Sequence, residues 1–249
     1  MSGILSTADG QQVHYDHYQN GFDKVVIIAH GFFNSKDAVL LKELAAELST
    51  DYDVIVFDFR GHGKSSGLFY WTAKEPQDLE AVLDYAKDKY KEVGLIGFSL
   101  GAAISLITAA LTDKVDSLVS VSAPLDFAKI EYHFWELDPY FDIFYNVVGK
   151  GRIGKSIRPG PFWVKKERPI DIVGKIKIPV FYIHGQRDWL IKPWHSEELY
   201  KNTQSHKKLE IIENGPHAEY LILTHKEKTV RLIRDWFKQT LVGKKEENK

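Results

Sequence analysis

Ser99 stands between two glycines, in Gly97-Phe98-Ser99-Leu100-Gly101, where a buried-looking strand ends and an Ala-rich helical pattern begins. A hydroxyl on so sharp a strand-to-helix corner is held out of the backbone, next to a helix N-terminus whose N–H groups favour developing negative charge. The corner forces its central residue into an unfavourable backbone region, so the positions two before and two after must be small. Gly97 and Gly101 meet that need, and Ala102 and Ala103 extend it. The plainer reading of the same residues is a serine that merely starts a core helix.

A serine is a weak nucleophile at neutral pH and needs a base. His217, in ENGPHAEYLI, follows the last strand-like run and precedes the last helical pattern. Asp188, in FYIHGQRDWLIKP, follows the strand before it. A hydroxyl, an imidazole and a carboxylate placed at three strand ends are the parts of nucleophilic acyl transfer. Asp126 and Asp58, each also just past a strand, are rival acids. The oxyanion formed on attack needs two backbone N–H donors. Leu100 supplies one, and Phe32, in the loop AHGFFNS, supplies the other. His30 ends the strand before that loop and reads as a structural group.

The elements that must position these groups follow from periodicity. KVVIIAH (24–30), YDVIVFDF (52–59), EVGLIGF (92–98), DSLVSVSAP (116–124), IPVFYIHG (178–185) and KKLEIIEN (207–214) read as strands, the β-branched ones as buried on both faces. QQVHYDHYQ (11–19) alternates like a partly exposed strand. Helical spacing recurs over SKDAVLLKELAAEL, with Ser35 as N-cap, over PQDLEAVLDYAKDKY, with Pro76 in its first turn, over LGAAISLITAAL and over KPWHSEELYKN. AEYLILTHKEKTVRLIRDWFKQTL reads as one long closing helix. Strand–helix alternation of this kind makes a mostly parallel α/β sheet.

The alternation breaks between 124 and 177. Residues 131–145 carry seven aromatics, and the stretch 150–177 carries nine Lys or Arg against Glu167 and Asp171. So long an irregular insertion is usually functional, and it reads as a cap over the sheet edge. The expected organisation is a core of 1–123 and 178–243, a cap at 124–177 and a disordered tail at 244–249. The basic stretch reads first as a solvated face, and second as an attraction for an anionic group.

Composition narrows the classes. The chain of 249 residues has a formal net charge of -1 and no cysteine. No global field argues for nucleic acid, and disulfides, thiolate catalysis and Cys-ligated metal are excluded. His14 and His17 are spaced to opposite faces of a strand, so a shared metal is not expected. GHGKSSG imitates the end of a phosphate-binding loop, but Asp58 stands where that motif needs glycine. The opening MSGILSTADG has no basic segment followed by an apolar one, and no run approaches a membrane span. A cytoplasmic protein, monomer or homodimer, without metal or cofactor, is the expectation.

Taken together, HGF, FDFRGHGKSSG, GFSLG, HGQRDWLIKP and NGPHAEYL resemble the α/β-hydrolase superfamily, close to its serine esterase, lipase and aminopeptidase-like members. The resemblance covers almost the whole chain outside the insertion. It implies an eight-stranded, mostly parallel sheet with helices on both faces. Ser99 would be the nucleophile, His217 the base, Asp188 its partner, and Phe32 and Leu100 the oxyanion donors. Phe98 stands where many members have histidine, and Phe33, Phe98, Trp135 and Trp189 are the candidates for contact with the substrate. The expected activity is hydrolysis of small to medium apolar or aromatic carboxylic esters through an acyl-enzyme. Aminopeptidase-like, thioesterase or perhydrolase chemistry would use the same triad. A catalytically silent binding module is the alternative of another class.

Overall fold

A computed structural model describes residues 1–131 and 157–242. Trp135, most of the aromatic run and the tail 244–249 lie outside the described residues. Eight strands form one sheet: β1 (Ser2–Ser6), β2 (Gln12–Tyr18), β3 (Lys24–Ala29), β4 (Asp53–Phe57), β5 (Glu92–Phe98), β6 (Ser117–Val121), β7 (Val180–Gly185) and β8 (Lys207–Ile212). Their order is β1-β2-β4-β3-β5-β6-β7-β8. β2 pairs antiparallel with both β1 and β4, and the remaining pairs are parallel.

The helices are α1 (Val39–Leu48), α2 (Glu75–Lys87), α3 (Leu100–Leu111), the single turn α4 (Pro169–Ile172), α5 (Trp194–Asn202), α6 (Tyr220–Thr224) and α7 (Lys226–Thr240). Alternate residues of each central strand feed opposite faces, as the pleat requires. Ile27, Phe57, Leu95 and Tyr182 join α2, α3 and α5 in one apolar cluster. Ile28, Val56, Ile96 and Phe181 join α1, α6 and α7 in the other. Each large side chain so buried contributes about 1.5–3 kcal/mol.

This layering fixes where a site can lie. β3 leads to α1 on one face, and its neighbour β5 leads to α3 on the other. The two connections part at the carboxyl ends of adjacent parallel strands and leave a crevice between them, the topological switch point at which α/β sheets bind ligands.

Four features depart from expectation. β1 is an additional strand: it is five residues long, its residues alternate between exposed and half-buried, and only β2 pairs with it. The closing helix is two, α6 and α7, broken at His225, whose φ of -132° and ψ of 37° leave the helical region. Ser35 does not cap α1. It lies in a turn closed by Ala38 N–H to its carbonyl at 3.0 Å, and the helix begins at Val39 without a side-chain cap. Finally, Val173 and Ile176, read as part of the insertion, are buried in the cluster that contains α3, and Ile172 beside them is buried as well. Further back, residues 158–160 lie along the β4–α2 loop: Arg158 N–H donates to Gly61 O at 2.8 Å, and Gly160 N–H to Phe69 O at 2.8 Å.

Candidate active site

Ser99 occupies the single position between β5 and α3, with φ of 50° and ψ of -113°. The strained corner needs its small neighbours. A methyl at Gly97 would lie 2.5 Å from Ala102 Cα, and one at Gly101 would collide with the carbonyl oxygens of Ala29 and His30. The corner is anchored by Ser99 N–H donating to Val121 O at 2.8 Å.

Asp188 sits in a tight turn after β7, where its N–H donates to Gly185 O at 3.1 Å. Its Oδ1 accepts from the N–H groups of Leu190, at 3.0 Å, and Ile191, at 2.8 Å. Its Oδ2 faces His217 Nδ1 at 2.7 Å and His184 Nε2 at 3.2 Å. Burial works to raise its pKa, but the charge of the facing His217 and the hydrogen bonds from His184 and His217 hold it well below the usual carboxylate range. Asp188 is therefore an anion, and His217 carries its proton on Nδ1, facing it. That leaves the Nε2 lone pair toward Ser99, whose Oγ lies 3.0 Å away.

His217 is presented by a loop between β8 and α6 that contains two residues of positive φ, Asn214 at 54° and Ala218 at 44°. Ala218 N–H donates to Ser122 Oγ at 3.1 Å, which ties the loop to the end of β6. The structure thus brings together Ser99, Asp188 and His217, which are 118 and 29 residues apart along the chain.

On the other side of the crevice, a methyl at Gly31 would touch Ser99 Cβ and Phe98 O, each at 3.4 Å, so the β3–α1 loop runs against the corner. His30 is fixed between this loop and the next. Its Nε2 accepts from Phe59 N–H at 3.0 Å, and Nδ1–H donates to Gly31 O at 2.7 Å. Burial pushes its pKa down to about 4, so it is a neutral strut at physiological pH. Phe32 packs on Phe69 and Trp71, with ring centroids 5.2 and 5.3 Å away. Leu100 opens α3, so the Phe32 and Leu100 amides belong to the two connections that flank the crevice.

The aromatic candidates separate. Phe33, with φ of 57°, is 56% exposed, and Trp189 is half-buried with its ring 6.4 Å from that of His217. Phe98 is not at the crevice surface. Its side chain is fully buried in the cluster with α1 and α7, because the pleat sends it to the sheet face opposite α3. The rival acids are occupied elsewhere. Asp58 accepts the N–H groups of Lys36 and Lys64, at 2.7 and 2.9 Å. Asp126 Oδ1 caps the turn at Ala128, and its Oδ2 lies 3.3 Å from Arg168. His17 is buried against Tyr85 and Tyr90, while His14 lies on the other face of β2. Among the described residues, no group of three or more His, Cys, Asp or Glu could hold a metal ion, and no helix is long and apolar enough to cross a membrane.

Three neighbours of the site escaped the sequence reading. His184 touches Asp188, and Ser122 holds the His217 loop. Glu219 approaches the corner from that loop: one of its carboxylate oxygens comes within 3.5 Å of where a Gly31 methyl would lie, and the other accepts from Asn34 Nδ2. His184 lies within the quoted stretch FYIHGQRDWLIKP, four residues before Asp188. Ser122 and Glu219 leave no pattern that spacing reveals.

The family model described as alpha/beta hydrolase fold matches residues 24–150. The YqkD protein of Bacillus subtilis is 31% identical over 216 residues, covering 78% of this chain and 64% of that protein. Esterase YbfF of Escherichia coli is 33% identical over 119 residues, 47% of this chain and 43% of that one. The chain thus spans less than two thirds of the length of either relative. Among solved structures, the Pyrococcus furiosus esterase Pf2001 superposes with a TM-score of 0.79 at 25% identity, covering 97% of this chain and 91% of that one. The esterase EaEST of Exiguobacterium antarcticum, 18% identical over 96% of this chain and 100% of its own, shares the fold with a TM-score of 0.77. With more than half of its residues under the family model and the eight-stranded sheet in place, the chain belongs to the α/β-hydrolase fold family.

Proposed function

We propose that the chain is a serine hydrolase of carboxylic esters that works through an acyl-enzyme. The observation that carries this reading is the continuous line from Ser99 Oγ through His217, at 3.0 Å, to Asp188, at 2.7 Å, with the hydroxyl on a strained corner. The esterase names of the Pyrococcus structure and of YbfF support ester hydrolysis as the reaction.

In this reading His217 Nε2 takes the Ser99 proton as Oγ attacks the acyl carbon. The N–H groups of Phe32 and Leu100 stabilise the oxyanion, and the imidazolium returns the proton to the departing alcohol. Water then repeats the sequence and frees the acid. Asp188 keeps the imidazole in the productive tautomer and stabilises its cation. Phe33 and Trp189 border the acyl or alcohol group, and the segment between β6 and β7 acts as a cap, which favours small to medium apolar or aromatic esters.

A fluorophosphonate probe tests the nucleophile: labelling of the wild type and none of Ser99→Ala supports it, whereas an unlabelled wild type points to a silent binding module. A chromogenic ester panel of varied acyl length, run beside aminoacyl arylamides, tests the reaction. Turnover of arylamides alone would replace the esterase with a peptidase.

A further inference from the structure

His184 is a second histidine on the triad carboxylate, and the reaction as written leaves it unused. It is the last residue but one of β7, before Gly185, and both it and Asp188 have fully buried side chains. Its Nε2 lies 2.7 Å from Ile191 O. A carbonyl oxygen only accepts, so Nε2 carries a hydrogen. Nδ1 then presents a lone pair, which the Ser196 hydroxyl fills at 2.7 Å. The same Nε2–H also faces Asp188 Oδ2 at 3.2 Å, so it is shared between the carbonyl and the carboxylate.

We propose that His184 is a positioning residue for the triad acid, its Nε2–H pinning the Oδ2 of Asp188 that orients His217. The inference rests on the triad reading above. With this bond the carboxylate receives four donors: two amides on Oδ1 and two imidazole N–H groups on Oδ2. It cannot rotate without breaking several of them. The second donor on Oδ2 also draws charge from the oxygen that holds His217, which moderates the pull on an imidazolium.

Removing that donor therefore has one sign by two routes. A less satisfied Asp188 holds the protonated form of His217 more tightly, and it also takes up a proton itself more readily. Either change means that the active pair, charged Asp188 with neutral His217, exists only at higher pH. The nearby titratable groups are His195, on α5, which feels the charges of His184 and Asp188, and Glu131, whose charge reaches His195. His195 is held neutral by burial, with its pKa pushed down to about 4, and the carboxylate of Glu131 has no N–H to donate to Oδ2.

The test is the pH dependence of kcat/KM for p-nitrophenyl butyrate in His184→Gln, His184→Asn and His184→Leu. The glutamine amide reaches the place of Nε2, the asparagine amide falls short of it, and leucine has no donor. The acid limb is expected to move up by about half a pH unit or more for Asn and Leu, with kcat about three- to tenfold lower and KM within about twofold. The Gln variant should keep the wild-type limb. Wild-type limbs for Asn and Leu, or a limb as displaced for Gln as for Leu, overturn the proposal. Where the Leu variant does not fold by circular dichroism, the Gln–Asn pair decides it. Fluorophosphonate labelling of the wild type separates the two levels: a labelled enzyme with coincident limbs removes only the function assigned to His184, while an unlabelled one removes the triad.

Discussion

Two buried polar sets sit at the same edge of the sheet, and they are built to opposite ends. After β4, Arg60 is almost completely buried, with its N–H groups directed at two carboxylates. Nε donates to Asp78 Oδ1 at 2.8 Å, and the two terminal nitrogens donate to Asp9 at 2.7 and 2.9 Å. The backbone N–H of Arg60 completes Asp78 at 2.8 Å. After β5, β7 and β8, Ser99, His217 and Asp188 form a line of single hydrogen bonds that ends on a hydroxyl at a corner of positive φ. The first set closes on itself and joins the β1–β2 turn, the β4 loop and α2. The second stops at an O–H beside a crevice. A closed set is a strut, and a chain with one reactive end on strained backbone is a site.

The largest expected effect falls on that end. Ser99→Ala should lower ester turnover on the order of ten-thousandfold or more. The alanine keeps the same strained φ, so melting temperature should stay within about two degrees of the wild type. Comparable activity in the alanine variant would mean that the corner is only a turn.

Arg60→Leu should do the reverse. It strands Asp78 in a site where burial already pushes the carboxyl pKa up. Stability should fall by about 3–5 kcal/mol in denaturant titration, while kcat per folded molecule holds. Adding Asp78→Leu should recover much of the loss, because an apolar pair of similar volume replaces a buried ion pair at little cost. If the double variant is no more stable than the single one, the strut reading fails.

Acid sharpens the contrast, because two histidines lie between the regions. The rings of His30, beside the corner, and His62, on the Arg60 loop, are 5.0 Å apart. Burial pushes His30 down to about 4 and His62 to about 3. The unfolded chain binds protons at both below the free value of about 6.5. Between that value and the folded ones the unfolded state holds more protons, so stability rises with pH across the window and melting temperature falls on acidification from about 6.5 toward about 4. Within the Arg60 set, Asp9 does not share this window: its hydrogen bond to Arg60 holds it down to about 2, and that contribution is lost only below the usual carboxylate value. Asp78, raised by burial, has the opposite sign and offsets part of the effect of the two histidines, because the folded state holds its proton more tightly than the unfolded chain. Turnover should also fall on acidification, because the proposed base becomes protonated, but it should recover at once on return to neutral pH if the protein stays folded. A melting temperature flat from about pH 7 to about pH 4.5 would contradict the buried neutral histidines.

What could be read from the chain follows from which constraints are local. The corner is legible because sterics dictate Gly97 and Gly101 within five residues of Ser99. The buried strands are legible because both faces are apolar. β1 is not, since SGILS is short, half-exposed and defined only by its partner β2. The break at His225 is hidden because the apolar spacing runs on through it, from Leu221 and Ile222 to Val230 and Ile233. Position beside the serine does not make Phe98 a pocket wall, because the pleat decides which face its side chain meets. Ser122 holds the His217 loop through a contact with Ala218 far along the chain, which no period encodes, whereas His184 lies only four residues before Asp188 and is brought to it by the turn after β7.

The smallest expected effect is the most exacting for the site. Asp126 follows β6 much as Asp188 follows β7, so both ends were open to a triad acid on spacing alone. The structure gives Asp126 different duties. Oδ1 accepts Ala128 N–H at 2.9 Å, and Oδ2 meets Arg168, a half-exposed guanidinium also held by Asp171 at 2.8 Å. A pair whose guanidinium is half-exposed and already held by another carboxylate contributes little, and an asparagine can still cap the turn through its carbonyl oxygen. Asp126→Asn should therefore change kcat/KM by less than about twofold, while Asp188→Asn, which disturbs the imidazole tautomer, should cost about ten-thousandfold. Matched losses in the two variants would show that position after a strand, and not the 2.7 Å contact with His217, had been mistaken for function.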